Sequence, residues 1–359
     1  MNAPTAQLGA NRLVANWLFL ICAMVFGMVA GGGHIRTLDA GFIMQDWRPF
    51  TGFIPPLNAG SWAAMFARYQ QTAAYHANPI STASFHALFW ANFLDRVWGR
   101  LIALAFALPL AWFWWRGLLT TRLALRLLAI FAAGGAQAAF GWVIVISGRQ
   151  PGVLTPPPAL AAPHFIVAML ILAALLWTAC SLRTPNPVPV PHSTTLRRGL
   201  TASLVLVFLT MSFGALVAAT NAIMVYNSFP LMDGHVTPPG LFALHPVWMN
   251  FLANQGNVQF FHRLLATIAL ISVLSTAIAG LRRPLPPALR DLFLIAAGLI
   301  ALQYLLGMAA LILAAPEIGY LHELNATLLF CTLIATRHHL RAPATQRMII
   351  PEHVFAGAE

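Results

Sequence analysis

Residues 163–178 read PHFIVAMLILAALLWT, one histidine followed by fourteen residues without a charge. The uncharged run extends over about 160–182, and about 20 apolar residues suffice for a helix to cross the hydrocarbon core of a bilayer. Residues 321–336, LHELNATLLFCTLIAT, likewise carry a histidine in second place, here after a leucine. Working outward from these two, the chain offers eight such runs: about 14–33, 88–115, 122–146, 160–182, 200–220, 258–280, 290–315 and 318–337. Of the 359 residues, 59% are hydrophobic and 8% charged, and the mean hydropathy is +0.74. Soluble domains carry roughly 25% charged residues, so a water-soluble enzyme is excluded. The basic excess comes from 20 arginines without a lysine, set in short clusters between apolar runs. That is topology charge, not a groove for nucleic acid. The sequence describes an all-α, multi-pass membrane protein.

Arginine placement gives the orientation. Thirteen arginines fall on one side (Arg12, Arg116, Arg122, Arg126, Arg183, Arg197, Arg198, Arg282, Arg283, Arg290, Arg337, Arg341, Arg347) and four on the other (Arg36, Arg48, Arg68, Arg149). Both termini are therefore expected in the cytoplasm, in a bacterial inner membrane or its equivalent. Two long loops, about 34–87 and 221–257, then lie on the outer face as ordered caps. The first run passes into Gly31-Gly32-Gly33 without a small-x-small cleavage site, so it reads as a helix and not a signal peptide. Cys22, Cys180 and Cys331 each lie inside an apolar run and read as small buried hydrophobes. The proline-rich stretch from Thr184 to His192 divides the chain.

The two sides of that divide repeat each other. AAGGAQAAFGW (132–142) aligns with AAGLIALQYLLGM (296–308), placing Gln137 on Gln303 and Gly141 on Gly307. DRVWGRLIALA from Asp95 lies opposite HRLLATIALIS from His262, and His164 lies opposite His322. The expected organisation is two tandem four-helix bundles in a parallel repeat: 1–183, a cytoplasmic linker 184–199, then 200–340 and a cytoplasmic tail 341–359.

Ionisable groups within spans point to function. His262 and His322 stand at the outer starts of alternate spans, at similar depth in one bundle, where two imidazoles can bind haem iron axially. The first half keeps His164 but has Asp95 opposite His262, so the two halves should not bind the same group in the same way. Arg36, Arg96, Arg100 and Arg263 sit at outer span ends, where a guanidinium can pair with a propionate; snorkelling to the interface is the alternative. His34, His76, His86, His235 and His245 read as solvated, and His338 and His339 as partners of a helix dipole. His192 and His353 fall in the linker and tail. Asp39, Asp46, Asp233 and Glu317 are loop acids without an assigned role.

The motifs GGGHIRTLDAGFIMQDWRPFTGFIPPLN (31–58), VYNSFPLMDGHVTPP (225–239), VQFFHRLLA (258–266) and the Leu321–His322 pair resemble the haem A synthases, in their mitochondrial-type, cysteine-poor branch. The resemblance covers about residues 14–340. It implies oxidation of a methyl group of haem O to the formyl group of haem A, for terminal oxidases. It further implies haem b between the histidines matching His262 and His322, and the substrate haem in the N-terminal half at His164. Partners implied are a haem O synthase and oxidase assembly factors, with oligomeric state open and a homo-oligomer no surprise.

The resemblance breaks in the second span. The family pattern there is Glu, two residues, His-Arg, ending in Gly-Arg; this chain has Asn92 for the glutamate and Asp95 for the histidine. Ile35 replaces the family's loop threonine, while Arg36 matches. In one reading activity persists, with Asp95, on the same helix face as Asn92, supplying the carboxylate. In another the protein is a catalytically silent haem-binding relative in oxidase assembly. A secondary transporter, raised by the repeat, lacks paired broken helices in its favour.

Overall fold

The computed structural model describes residues 3–44, 46, 48, 51–185, 189–191 and 193–340, with side chains from Leu8 onward. The expected tail 341–359, with Arg341, Arg347 and His353, lies outside the described residues, as do 186–188 and His192 of the linker and Gln45, Trp47, Pro49 and Phe50 of the first outer-loop motif.

Among the described residues eight helices are long and apolar enough to cross a membrane. They are α1 (Ala3–Thr37), α4 (Thr82–Trp115), α5 (Thr121–Ser147), α6 (Pro158–Arg183), α7 (Thr194–Ala219), α8 (Gln255–Leu281), α9 (Pro287–Ile312) and α10 (Pro316–His339); α2 (Ala59–Gln70) and α3 (Ala73–Ala77) are short helices of the first outer loop. Each expected span falls inside one of the eight long helices or overruns it by no more than three residues. Their starts are written locally. Ser81, Thr120 and Asn254 cap α4, α5 and α8 through side-chain oxygens that accept from the third backbone N–H. Prolines open α6, α9 and α10, where a missing N–H costs nothing.

Contacts sort the long helices into two closed groups. In the first, α1 packs on α4 and α6, and α5 bridges α4 and α6; in the second, α7 packs on α8 and α10, and α9 bridges α8 and α10. The groups meet along α1 and α6 on one side and α7 and α10 on the other. One apolar core, including Leu18, Met169, Leu172, Leu200, Phe293 and Leu333, runs through both. Indole N–H groups fasten α1 to α4, from Trp17 to Ala105 O (2.8 Å) and from Trp98 to Met24 O (2.8 Å). Outward faces stay apolar, with Leu108 67% and Ile271 63% exposed. Only a hydrocarbon solvent makes such faces stable: the chain is a multi-pass integral membrane protein.

Two expectations about histidines change. α4 begins at Thr82, so His86 lies in a helix with its Nε2 buried, its ring 4.2 Å from that of Trp62, and is not solvated. His338 is fully buried between α10 and α6, its Nε2 3.1 Å from Ser181 Oγ and its ring edge-on to Trp177.

Close packing between α8 and α9 depends on a missing side chain. A Cβ at Gly280 would stand 2.8 Å from Phe293 Cζ, whereas one at Gly298 meets nothing within 4 Å. Gly280→Ala should destabilise the protein by about 1–3 kcal/mol through overpacking. Gly298→Ala should leave stability unchanged or raise it slightly. Thermal midpoints of the two detergent-purified variants check this; equal midpoints would refute it.

Candidate functional site

The second helix group brings His262 of α8 and His322 of α10 together, edge to face. Their ring centres are 6.2 Å apart, with planes at 75°. An imidazole nitrogen sits about 2 Å from a bound metal ion, with its ring centre roughly 1 Å further back, so two rings sharing one ion stand about 6 Å apart. His262 Nδ1 lies 3.0 Å from Thr210 O, and His322 Nδ1 lies 2.9 Å from Gln303 O. A carbonyl oxygen only accepts, so both Nδ1 atoms carry hydrogen and both neutral rings keep Nε2 as an acceptor nitrogen, which at His322 takes a hydrogen from Gln303. Such second-shell bonds fix a ligating histidine's tautomer. Around His322 the polar chain continues: Asn325 Nδ2 donates to Gln303 Oε1 (2.7 Å), which turns Gln303 Nε2 toward His322 Nε2 (3.1 Å).

Among the described residues no cluster of three or more His, Cys, Asp or Glu could hold a bare metal ion. Two opposed imidazoles instead suit an iron whose other bonds come from a porphyrin. The donor set fits the haem expected at His262 and His322.

Each ring rests on a glycine of the preceding long helix. A Cβ would stand 3.1 Å from His262 Cε1 at Gly214 and 2.8 Å from His322 Cε1 at Gly307. The first group has the same device: a Cβ at Gly141 would stand 3.1 Å from His164 Cε1, and one at Gly31 would strike Asp95 Oδ1. Four glycines thus face the four positions singled out in the sequence.

The polar surroundings in the first group differ. Gln137 Nε2 donates to the His164 carbonyl (2.5 Å) and not to its ring, and His164 Nδ1 is buried without a partner. Asp95 Oδ1 is likewise buried and unpartnered. Asn92, 4% exposed, spends its amide on Ala40 O (2.9 Å) and Leu88 O (3.1 Å), tying α4 to the first outer loop.

The arginines hold loops. Arg96 donates to Asp46 O (2.8 Å) and to Met44 O, and Arg100 to Arg48 O (2.6 Å) while lying over the Phe53 ring. Arg263 donates to Tyr226 O (2.7 Å) and Ser228 O (2.8 Å) in the second loop. The arginine after each of positions 95 and 262 thus pins backbone carbonyls of the loop above it. Asp46 gains a role as an acceptor for Arg68 (2.5 Å) and Arg48 (3.4 Å). Arg36 pairs with Glu323, the residue after His322.

Sequence reasoning passed over Glu323, although an acid inside a span and beside a candidate ligand is itself a signal. Gln303 was aligned with Gln137 without a role, and nothing in the sequence marks Thr210, which contributes only a carbonyl.

Comparison with known proteins follows the same lines. Residues 15–334 match the family model COX15-CtaA, described as cytochrome oxidase assembly protein. Heme A synthase 1 of Acidiphilium cryptum is 48% identical over 351 residues, 97% of this chain and 98% of that protein. Heme A synthase 2 of the same organism is 36% identical, covering 94% of each chain. Heme A synthase of a Methylobacterium species is 40% identical over 93% of this chain and 94% of its own.

Removing the Asn92 amide takes the α4 donor from the Ala40 carbonyl, which keeps only the turn bond from Ile43 N (3.2 Å). Asn92→Ala should cost about 0.5–1.5 kcal/mol, read as a lower unfolding midpoint. An unchanged midpoint would refute its role in fastening the loop.

Proposed function

We propose, from the premise that this chain belongs to the COX15-CtaA family of cytochrome oxidase assembly proteins, that it is a haem A synthase, a membrane oxidoreductase converting the methyl group of haem O to the formyl group of haem A. The observation that carries this reading is the His262–His322 pair, with both Nδ1 hydrogens held by carbonyls and the ring centres 6.2 Å apart. Full-length similarity to proteins named heme A synthase supports the activity.

In this reading His262 and His322 would hold a haem b, and His164 would hold the substrate haem O. When bound, haem iron supplies the one-electron chemistry that no side chain provides. Turning a methyl into a formyl group adds one oxygen and removes two hydrogens; with water as the oxygen source, four electrons and four protons leave. Asp95, whose Oδ1 is buried without a hydrogen-bond partner, is the group assigned to take up protons. Asn92, where the family has its glutamate, tethers the loop over that site. Arg96, Arg100 and Arg263 hold the loops above the two sites, and their guanidinium charge is assigned to propionates.

The matched glycines and the two closed helix groups support reading the chain as a parallel repeat, with halves 1–183 and 200–340 joined by the linker 184–199. Arginine asymmetry supports cytoplasmic termini and outer loops. A haem O synthase would deliver the substrate, and oxidase assembly factors would receive the product. The second reading, a silent haem-binding relative, draws on the commitment of Asn92 to backbone carbonyls.

The test is chromatography of haems extracted from a host that makes haem O, lacks its own haem A synthase and expresses this chain. Haem A or its hydroxylated precursor is expected; haem b alone in folded protein would establish the silent reading. Asp95→Asn should abolish product while the C-terminal haem spectrum remains, and unchanged product would remove Asp95 from the mechanism. His262→Ala or His322→Ala should each eliminate the low-spin spectrum of a bis-histidine haem, and its survival in both would refute the ligand assignment.

A further inference from the structure

Glu323 is the acid nearest in sequence to a proposed haem ligand, and its partner comes from the other half of the molecule. Its side chain is 13% exposed within α10, and Arg36 Nη2 on the last turn of α1 donates to its Oε2. A carboxylate in a membrane span is costly unless compensated, and the compensating charge here crosses between the helix groups. Gly33 makes this approach possible: a Cβ there would stand 3.0 Å from Tyr320 Cδ2 and 3.2 Å from Glu323 Oε2. Two residues earlier, Gly31 accommodates the carboxylate of Asp95. The glycine segment of α1 is thus flanked by the unpartnered acid of one site and by the paired acid next to the ligand of the other.

We infer that Glu323 is an electrostatic positioning residue of the His262–His322 haem site, and that Arg36 of the N-terminal half sets its effective charge. The inference rests on the haem reading of that pair. Charges on neighbouring turns of a low-dielectric bundle act strongly on one another. The one-electron reduction of ferric to ferrous iron removes a positive charge, so a nearby unbalanced cation favours it and an unbalanced anion opposes it. With the pair intact the two contributions largely cancel. Arg36 is then not a free propionate partner but the link through which the substrate half adjusts the potential of the haem half.

Redox titration of the full-length haem-loaded protein in detergent at pH 8, followed by visible absorption, tests this. Glu323→Gln should raise the midpoint potential and Arg36→Gln should lower it, each by about tenfold in the reduction equilibrium, about 59 mV for one electron. The double variant should return close to the parent value, and Arg36→Lys, which keeps the charge, should stay there. A merely structural contact would move both single variants the same way. That result, or unmoved potentials with the haem spectrum intact, overturns the inference alone. If the single variants lose haem, the charge-reversed pair Arg36→Glu with Glu323→Arg decides: a restored spectrum supports the link and its absence refutes it. A parent protein without a haem signal abolished by His262→Ala would bring down the haem reading and this inference together.

Discussion

An imidazole can stand upright inside a four-helix bundle only where the facing helix gives up its own side chain. Gly214 and Gly307 do so for His262 and His322, Gly141 does so for His164, and Gly31 for Asp95. Substituting any of these glycines would put a methyl group at or inside van der Waals contact with the functional atom, in an interior too densely packed to absorb it. The placing of the rings and the local helix separation follow from this constraint, while the carbonyls of Thr210 and Gln303 set the tautomers. It also explains why glycines recur in membrane helices despite their low helix propensity: small residues let backbones approach where no hydrophobic force drives them together.

On that shared frame the two halves are finished differently. In the C-terminal half backbone and amide groups engage both histidine rings, while Gln259 Oε1 and Arg263 Nε stay buried without a partner. Thr210 and Gln303 carbonyls orient the rings, and Asn325 orients Gln303. Such a network is rigid because breaking one bond strands another buried group. In the N-terminal half His164 Nδ1 and Asp95 Oδ1 are buried without partners. A site that keeps a permanent cofactor gains from a fixed geometry, whereas one that admits and releases a substrate gains from donors and acceptors left to be satisfied by it. The helix contacts are the same in both halves; the polar detail separates them.

The outer loops join these sites to the membrane surface. Arg96 and Arg263 occupy the same step after the ligand position and bond to loop carbonyls. Arg36 reaches across to Glu323. Arginine suits this work because its planar fork serves two acceptors at once and keeps its charge. The four arginines Arg36, Arg48, Arg68 and Arg149 thus have structural work, three of them beside the Asp46 carboxylate and one between the halves.

The fold was legible in the sequence because hydrocarbon solvent imposes long uncharged runs, and none of the eight had to be revised in number. The approach of His262 to His322 was equally legible, as was the alignment of Gly141 with Gly307, whereas the contacts of Gly31 with Asp95 and of Gly214 with His262 were not. What the tertiary structure alone decided involves atoms that carry no residue signature or partners distant in the chain. Thr210 acts through a carbonyl that any residue has. Asn92 reads as a lost glutamate until Ala40, 52 positions earlier, is seen to accept from it. His338 reads as a helix-end cation until Ser181 and Trp177 enclose it. Glu323 and Arg36 lie 287 residues apart, and only the packing of α1 against α10 makes a buried carboxylate and a half-exposed guanidinium into one pair.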